Sequence, residues 1–180
     1  GTPSTLNDKY WNGEILWMSS GELNNKFIHN VVGRITETGL KNSSTSLVPE
    51  KCVLIGLAGQ GKTRGTAAIN FISLCTNQSI AAIFPSYKHC SLYLYYNLES
   101  RYSELREISS GGGGRGGLNL SIINNLVIPF PRLKEQKAIS QILYDMDIEI
   151  NLIQQRLAKA CSLKKGMMQE LLTGKTRLIK

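Results

Sequence analysis

Histidine and aspartate are scarce in this 180-residue chain: His29 and His89 are its only histidines, and Asp8, Asp145 and Asp147 its only aspartates. Neither histidine stands at metal-ligand spacing from a second donor, and no two carboxylates are spaced for joint acid–base work. The cysteines, Cys52, Cys75, Cys90 and Cys161, are scattered without a C-x-x-C, which argues against a disulfide framework or a zinc site. No G-x-S-x-G is present to seat a nucleophilic serine. No apolar run approaches the roughly 20 residues that a bilayer-spanning helix requires. No charged segment followed by an apolar one opens the chain, and we expect a cytoplasmic protein. These absences point away from an enzyme: we expect no catalytic residue, no bound metal and no cofactor.

Proline is also missing after Pro131, and that absence is informative. Ile139, Ile142, Met146, Ile150, Ile153, Leu157, Ala160, Lys164, Met167 and Leu171 follow one another by threes and fours, the period of a helical seam. The pattern predicts one helix over 133–172, with Pro129 and Pro131 forbidding helix upstream and Gly174 stopping it. Forty residues make a rod about 60 Å long. A domain of roughly 130 residues has a radius of gyration of only about 14 Å, so part of the seam must meet another helix. Lys164 lies in register with the apolar positions, where a polar group fixes pairing register. Leu143, Ile148, Leu152 and Leu163 widen the stripe enough for a further subunit to dock.

The net charge of +8 is distributed unevenly. Residues 1–128 carry eleven basic and eight acidic side chains, 129–150 three and four, and 151–180 seven and one. A basic distal helix suits nucleic acid or an acidic protein surface, and a solvated helix face is the competing reading. The chain opens on Gly1-Thr2-Pro3-Ser4 without an initiator Met, as a processed or excised piece of a longer protein would.

Upstream of the rod the pattern predicts an α+β fold, a mixed α/β globular domain over 1–128, with 129–180 forming the helix and tail. Strands are expected at 14–18, 31–36, 51–56, 67–74, 79–84 and 126–128. Ser19 and Glu22 have capping-box spacing, which predicts a turn of helix at 21–24. Residues 39–46 have turn chemistry, and 87–108 read as one helix with Leu92, Tyr95, Tyr96 and Leu98 inside and Arg101, Glu104, Arg106 and Glu107 outside. Ser109 to Gly117 contains six glycines in nine residues, a linker or a loop ordered by a partner, with Arg115 as its one charge.

Gly56-Leu57-Ala58-Gly59-Gln60-Gly61-Lys62-Thr63 matches G-x-x-x-x-G-K-T letter for letter. A phosphate-binding loop, however, opens a helix, and its magnesium needs an aspartate at the end of a second strand. Gly65 and the β-branched and aromatic residues up to Ile72 spoil a helix, and none of the three aspartates ends a strand. We read the segment as a glycine-rich β-loop that presents Lys62 and Arg64 to the phosphates of a polymer.

Taken together, these residues resemble one half of the specificity subunit of type I restriction-modification systems. The similarity is carried by the opening Gly1-Thr2-Pro3-Ser4, by Tyr10-Trp11-Asn12-Gly13-Glu14-Ile15-Leu16-Trp17, and by Gly59 to Gly65. It continues through Ser110 with the glycine run and Leu118-Asn119-Leu120. The most specific stretches are Ile128-Pro129-Phe130-Pro131-Arg132-Leu133-Lys134-Glu135-Gln136-Lys137-Ala138-Ile139 and the tail from Lys164 to Gly174. The resemblance implies a target recognition domain that reads one half of a bipartite DNA site. It also implies a spacer helix that packs antiparallel with a second one. Partner subunits would then supply chemistry: an adenine-N6 methyltransferase, and in restricting systems a nuclease-translocase. A full specificity subunit has two domains and two helices, whereas this chain has one of each. A homodimer would read a palindromic bipartite site; the alternative is a missing second half.

The expected DNA-contacting residues are Lys9 and Asn12 in the opening loop, Gln60, Lys62 and Arg64 in the β-loop, and Arg115 and Asn119 by the glycine run; Lys and Arg suit guanine, Asn and Gln adenine. The expected dimer or subunit interface is Ile139, Ile142, Met146, Ile150, Ile153, Leu157, Lys164, Met167 and Leu171. Two other classes stay open: a protein-interaction module built on the rod, and a P-loop nucleotide-binding protein.

Overall fold

Two four-stranded sheets share one apolar core in the computed structural model, which describes residues 1–59, 61–110 and 117–179. The strands are β1 (Trp11–Met18), β2 (Phe27–Ile28), β3 (Gly33–Ile35), β4 (Leu47–Val48), β5 (Val53–Gly56), β6 (Ala67–Asn70), β7 (Leu74–Thr76) and β8 (Ile80–Ile83). The helices are α1 (Glu37–Lys41), α2 (Ser91–Ser100), α3 (Tyr102–Ser110), α4 (Leu120–Asn124) and α5 (Leu133–Leu172). One sheet has the order β3-β1-β7-β4, and the other β2-β6-β5-β8. Pairing is antiparallel except between β1 and β7 and between β2 and β6. Met18 and Leu74 from the first sheet meet Ile28, Leu54 and Ala68 from the second, all fully or nearly fully buried. The chain divides into two compact units, Gly1–Ala138 and Ile139–Lys180.

β5 and β6 are buried along their whole length, which explains their near-continuous apolar sequences. The one polar side chain within them, Asn70, is satisfied on every side. Its Oδ1 accepts the Cys52 amide at 2.9 Å, and its Nδ2 donates to the carbonyls of Pro49 at 2.7 Å and Ile72 at 2.8 Å. α2 packs on β5 and β6 through the fully buried Tyr95, whose ring lies 5.3 Å from that of Phe27.

Most expected strands are present in shortened form, and the departures have local causes. The 67–74 segment bends after Asn70, so Leu74 joins the other sheet as the start of β7. Thr36, whose Oγ1 accepts the Gly39 amide at 3.0 Å, caps the short helix α1 where the sequence suggests a turn. The expected single helix over 87–108 starts only at Ser91 and is interrupted at Arg101, so it becomes α2 and α3. Arg101 is held at that break by Glu104, 2.7 Å from its Nε, and by the Val127 carbonyl at 2.8 Å. Residues 126–128 form no strand, and α4 precedes them. The capping box stands as expected, with the Ser19 amide donating to Glu22 Oε2 at 2.9 Å above a 3₁₀ turn over Ser20–Asn25.

α5 has the expected bounds, and its first turn is fastened to the globular unit by Gln136, which is fully buried. Gln136 Oε1 accepts the Cys90 amide at the N-terminus of α2 (2.9 Å), and its Nε2 donates to the Pro131 carbonyl (2.8 Å). Tyr93, one helical turn into α2, adds a hydroxyl bond to the Pro129 carbonyl at 2.9 Å. Among the described residues no helix is long and apolar enough to cross a membrane.

Candidate nucleic-acid interface

The segment that matches a phosphate-binding motif is the connection of a β-hairpin. β5 ends at Gly56, and β6 returns antiparallel beside it, with Leu54 opposite Ala68 and Ile55 opposite Ala67. The root of the loop is closed by Gly56 N–H to the Thr66 carbonyl at 3.0 Å and by Gly65 N–H to the Gly56 carbonyl at 2.9 Å. A side chain at Gly56 would strike the Thr63 carbonyl, and Gly65 has φ +82°, so both glycines are required by this turn. A strand follows the loop instead of a helix, so no helix N-terminus is available to cradle a nucleotide phosphate. No cluster of metal-ligating side chains occurs among the described residues.

Lys62 is exposed on this loop, and Arg64 is half-buried. Lys62 also borders a cleft of about 390 Å³ shared with Lys26, Glu99 and Tyr102. The strand-like return after the glycine run meets the same loop, since Leu118 N–H donates to the Leu57 carbonyl at 2.9 Å. Asn119 follows it, exposed, with Oδ1 accepting the Ile122 amide at 2.9 Å as the cap of α4. The start of the loop at Leu57 and the 117–119 segment thus lie side by side. Gln60 and Arg115 lie outside the described residues.

Lys9 and Asn12 belong to a different part of the fold, Lys9 to the 3₁₀ turn over Asp8–Tyr10 and Asn12 to the start of β1 that follows it. The Lys9 carbonyl accepts the Thr36 hydroxyl at 2.7 Å, which ties this turn to the cap of α1. Asn12 has φ +60° in a β-bulge, where Trp11 and Ile15 both face Ile35. Asparagine tolerates that conformation better than most residues, and the bulge leaves its side chain exposed.

Sequence reasoning placed Arg106 on an outer helix face and gave Tyr102 no role. α3 turns both toward the loop: Arg106 Nη1 donates to the Gly61 carbonyl at 2.6 Å, and the Tyr102 hydroxyl to the Lys62 carbonyl at 3.2 Å. Their i, i+4 spacing on one helix was the available signal, and their target, distant in sequence, was not.

On the second unit, Ile142, Met146, Ile150, Ile153, Leu157, Leu163 and Met167 are all exposed along α5, as are Ile139 and Lys164. Leu171 is half-buried and, with Lys164 and Met167, lines an apolar hollow of about 390 Å³. The other thiols and the histidines offer no reactive constellation: burial pushes the Cys52 thiol up to about 11 and raises that of Cys75 as well.

The family described as the type I restriction modification DNA specificity domain matches residues 1–160. The chain belongs to that family. It is 28% identical over 169 residues to a type I restriction enzyme specificity subunit of Escherichia coli, covering 92% of this chain and 42% of that protein. A second relative, the MjaIX specificity subunit of Methanocaldococcus jannaschii, is 33% identical over 150 residues, covering 81% of this chain and 34% of the relative. The chain therefore spans about two-fifths or less of the curated relatives it matches. Solved structures share its fold at 16% identity. A chain from a study of complex assembly in the type I R-M system superposes with a TM-score of 0.69, and the HsdS subunit of Thermoanaerobacter tengcongensis with 0.63, each over 94% of this chain and 40% of theirs. The mixed α/β domain followed by a long helix is the fold this chain shares with those structures.

Proposed function

We propose that this chain is a DNA-reading half of a type I restriction-modification complex, recognising one half of a bipartite site. Residues 1–128 serve as the target recognition domain and 129–180 as the spacer. The observation that carries the reading is a specificity-domain match over 160 of 180 residues, combined with a basic, glycine-rich hairpin loop on which Lys62 is exposed. Lys62, Arg64 and Asn119 belong to the main reading surface, and Gln60 and Arg115, outside the described residues, are expected to contact DNA as well. Lys9 and Asn12 form a second one at the β1 bulge.

The apolar stripe on α5 pairs with the equivalent helix of a second copy, or of a second recognition half, and the adenine methyltransferase subunit docks on the resulting rod, with the restriction subunit joining in restricting systems. Catalysis then resides in those partners, and this chain itself binds no cofactor and acts in the cytoplasm.

A fluorescent duplex titrated with the chain over a range of salt concentrations tests the reading. Sequence-dependent affinity, with log K falling linearly in log salt, supports it, because phosphate contacts release counterions. Salt-independent or absent duplex binding alongside self-association would favour a protein-interaction module, to which the exposed α5 stripe also lends itself.

A further inference from the structure

The hairpin loop is closed at its root by its own bonds, Thr66 donating its amide to the Thr63 carbonyl at 3.1 Å and its hydroxyl to the Lys62 carbonyl. Between Gly56 and Thr66 it has three glycines, the residue type that constrains a backbone least. α3 adds a second hold on the backbone, from outside the loop. Arg106 Nη1 donates to the Gly61 carbonyl at 2.6 Å and lies 3.3 Å from the Tyr102 hydroxyl, while its guanidinium carbon sits 5.7 Å from the centre of the Tyr102 ring. The Tyr102 hydroxyl reaches the Lys62 carbonyl, and Gly65 turns directly against the side chains of Leu105 and Arg106, with an added Cβ only 3.4 Å from each. Two consecutive carbonyls of the loop are therefore fixed by one stacked pair.

We propose that Arg106, stacked on Tyr102, is a positioning residue for sequence readout: it sets the geometry from which the side chains of the loop meet DNA bases, without itself touching the DNA. This inference rests on the DNA-reading function proposed above. The chemistry is specific to a guanidinium, which is planar, lies over an aromatic ring and directs an N–H along a fixed line. A lysine keeps the charge and loses that geometry. Discrimination between bases depends on placing paired hydrogen-bond donors to within a few tenths of an ångström, whereas a phosphate contact depends mainly on charge. The two roles separate in experiment.

The test uses the full chain, a randomised duplex library to find the preferred sequence, and titrations of that duplex and a scrambled one over a salt series. For Arg106→Lys the expected result is a loss of roughly tenfold in the ratio of specific to scrambled affinity with the salt slope unchanged. Tyr102→Phe, which keeps the ring and removes the hydroxyl, gives a smaller loss of the same kind. The double variant loses less than the product of the two, because the pair acts as one clamp. A ratio unchanged in Arg106→Lys, or a salt slope reduced by about 0.9 in Arg106→Gln with the ratio intact, would mark Arg106 as a phosphate contact or a bystander and overturn the positioning role alone. An unmodified chain that selects no sequence overturns the DNA reading and this inference with it. Circular dichroism of each variant ensures that a lost ratio is scored only in folded protein.

Discussion

Gln136 and Cys90 are joined by a 2.9 Å hydrogen bond that runs from the backbone amide of the residue capping α2 to a fully buried side chain of α5. With its second bond, to the Pro131 carbonyl, that side chain satisfies two backbone groups which no secondary structure serves. The first turn of the long helix is thus tied to α2 by Gln136, with the Tyr93 hydroxyl holding the Pro129 carbonyl just ahead of it.

Replacing Gln136 by leucine, of similar volume, leaves both backbone groups without a partner. The expected cost is about 1–3 kcal/mol, a fall in Tm of roughly 2–12 °C by calorimetry. A change of less than about 1 °C would show that water replaces the side chain at no cost.

The hairpin geometry makes a definite statement about nucleotides. Calorimetric titration with ATP and magnesium should give no binding, and Lys62→Ala should leave that result untouched while weakening duplex DNA binding and lowering the salt slope by about 0.9. Saturable ATP binding that is lost in Lys62→Ala would restore the phosphate-binding-loop reading.

Much of this was legible in the sequence, and what was not has recognisable causes. α5 is set by a local period and by its flanking Pro131 and Gly174, so its bounds were readable. β5 and β6 announce themselves as apolar runs. The break at Arg101 was hidden because it depends on the Val127 carbonyl, 26 residues away. α1 was hidden because Thr36 is equally at home in a strand and only its hydroxyl bond to Gly39 selects the cap. At the candidate site the loop residues stand out as glycines and cations. The clamp from Tyr102 and Arg106 crosses 40 or more residues and leaves no pattern in either segment.

Thiol reactivity should divide the four cysteines. Cys52 and Cys75 are fully buried with thiols raised by desolvation, so iodoacetamide at neutral pH should spare both in the folded chain. Cys161, exposed on α5, should be alkylated readily, and more slowly once a second helix covers the stripe. Mass spectrometry of labelled peptides reads this out; labelling of Cys52 as fast as of Cys161 would contradict the buried core.

His89 gives a pH signature. Burial lowers its pKa below the usual histidine value of about 6.5, so between the two values the unfolded chain binds more protons than the folded one. Its contribution to stability is present above that value and declines as pH falls through it. His89→Gln should flatten the loss of denaturation midpoint as pH falls below about 6.5. An identical slope in the variant would remove His89 from the account.

The central claim, that this chain selects DNA sequence for a methyltransferase partner, is tested most directly by the methylation it directs. The chain is co-expressed with its methyltransferase subunit in cells lacking other adenine methylation, and N6-methyladenine is mapped across the genome. A bipartite motif is predicted, with two equivalent halves where the chain acts as a symmetric dimer and two different halves where a second recognition domain completes it. An assembled complex that leaves the genome without any new methylated motif would contradict the claim.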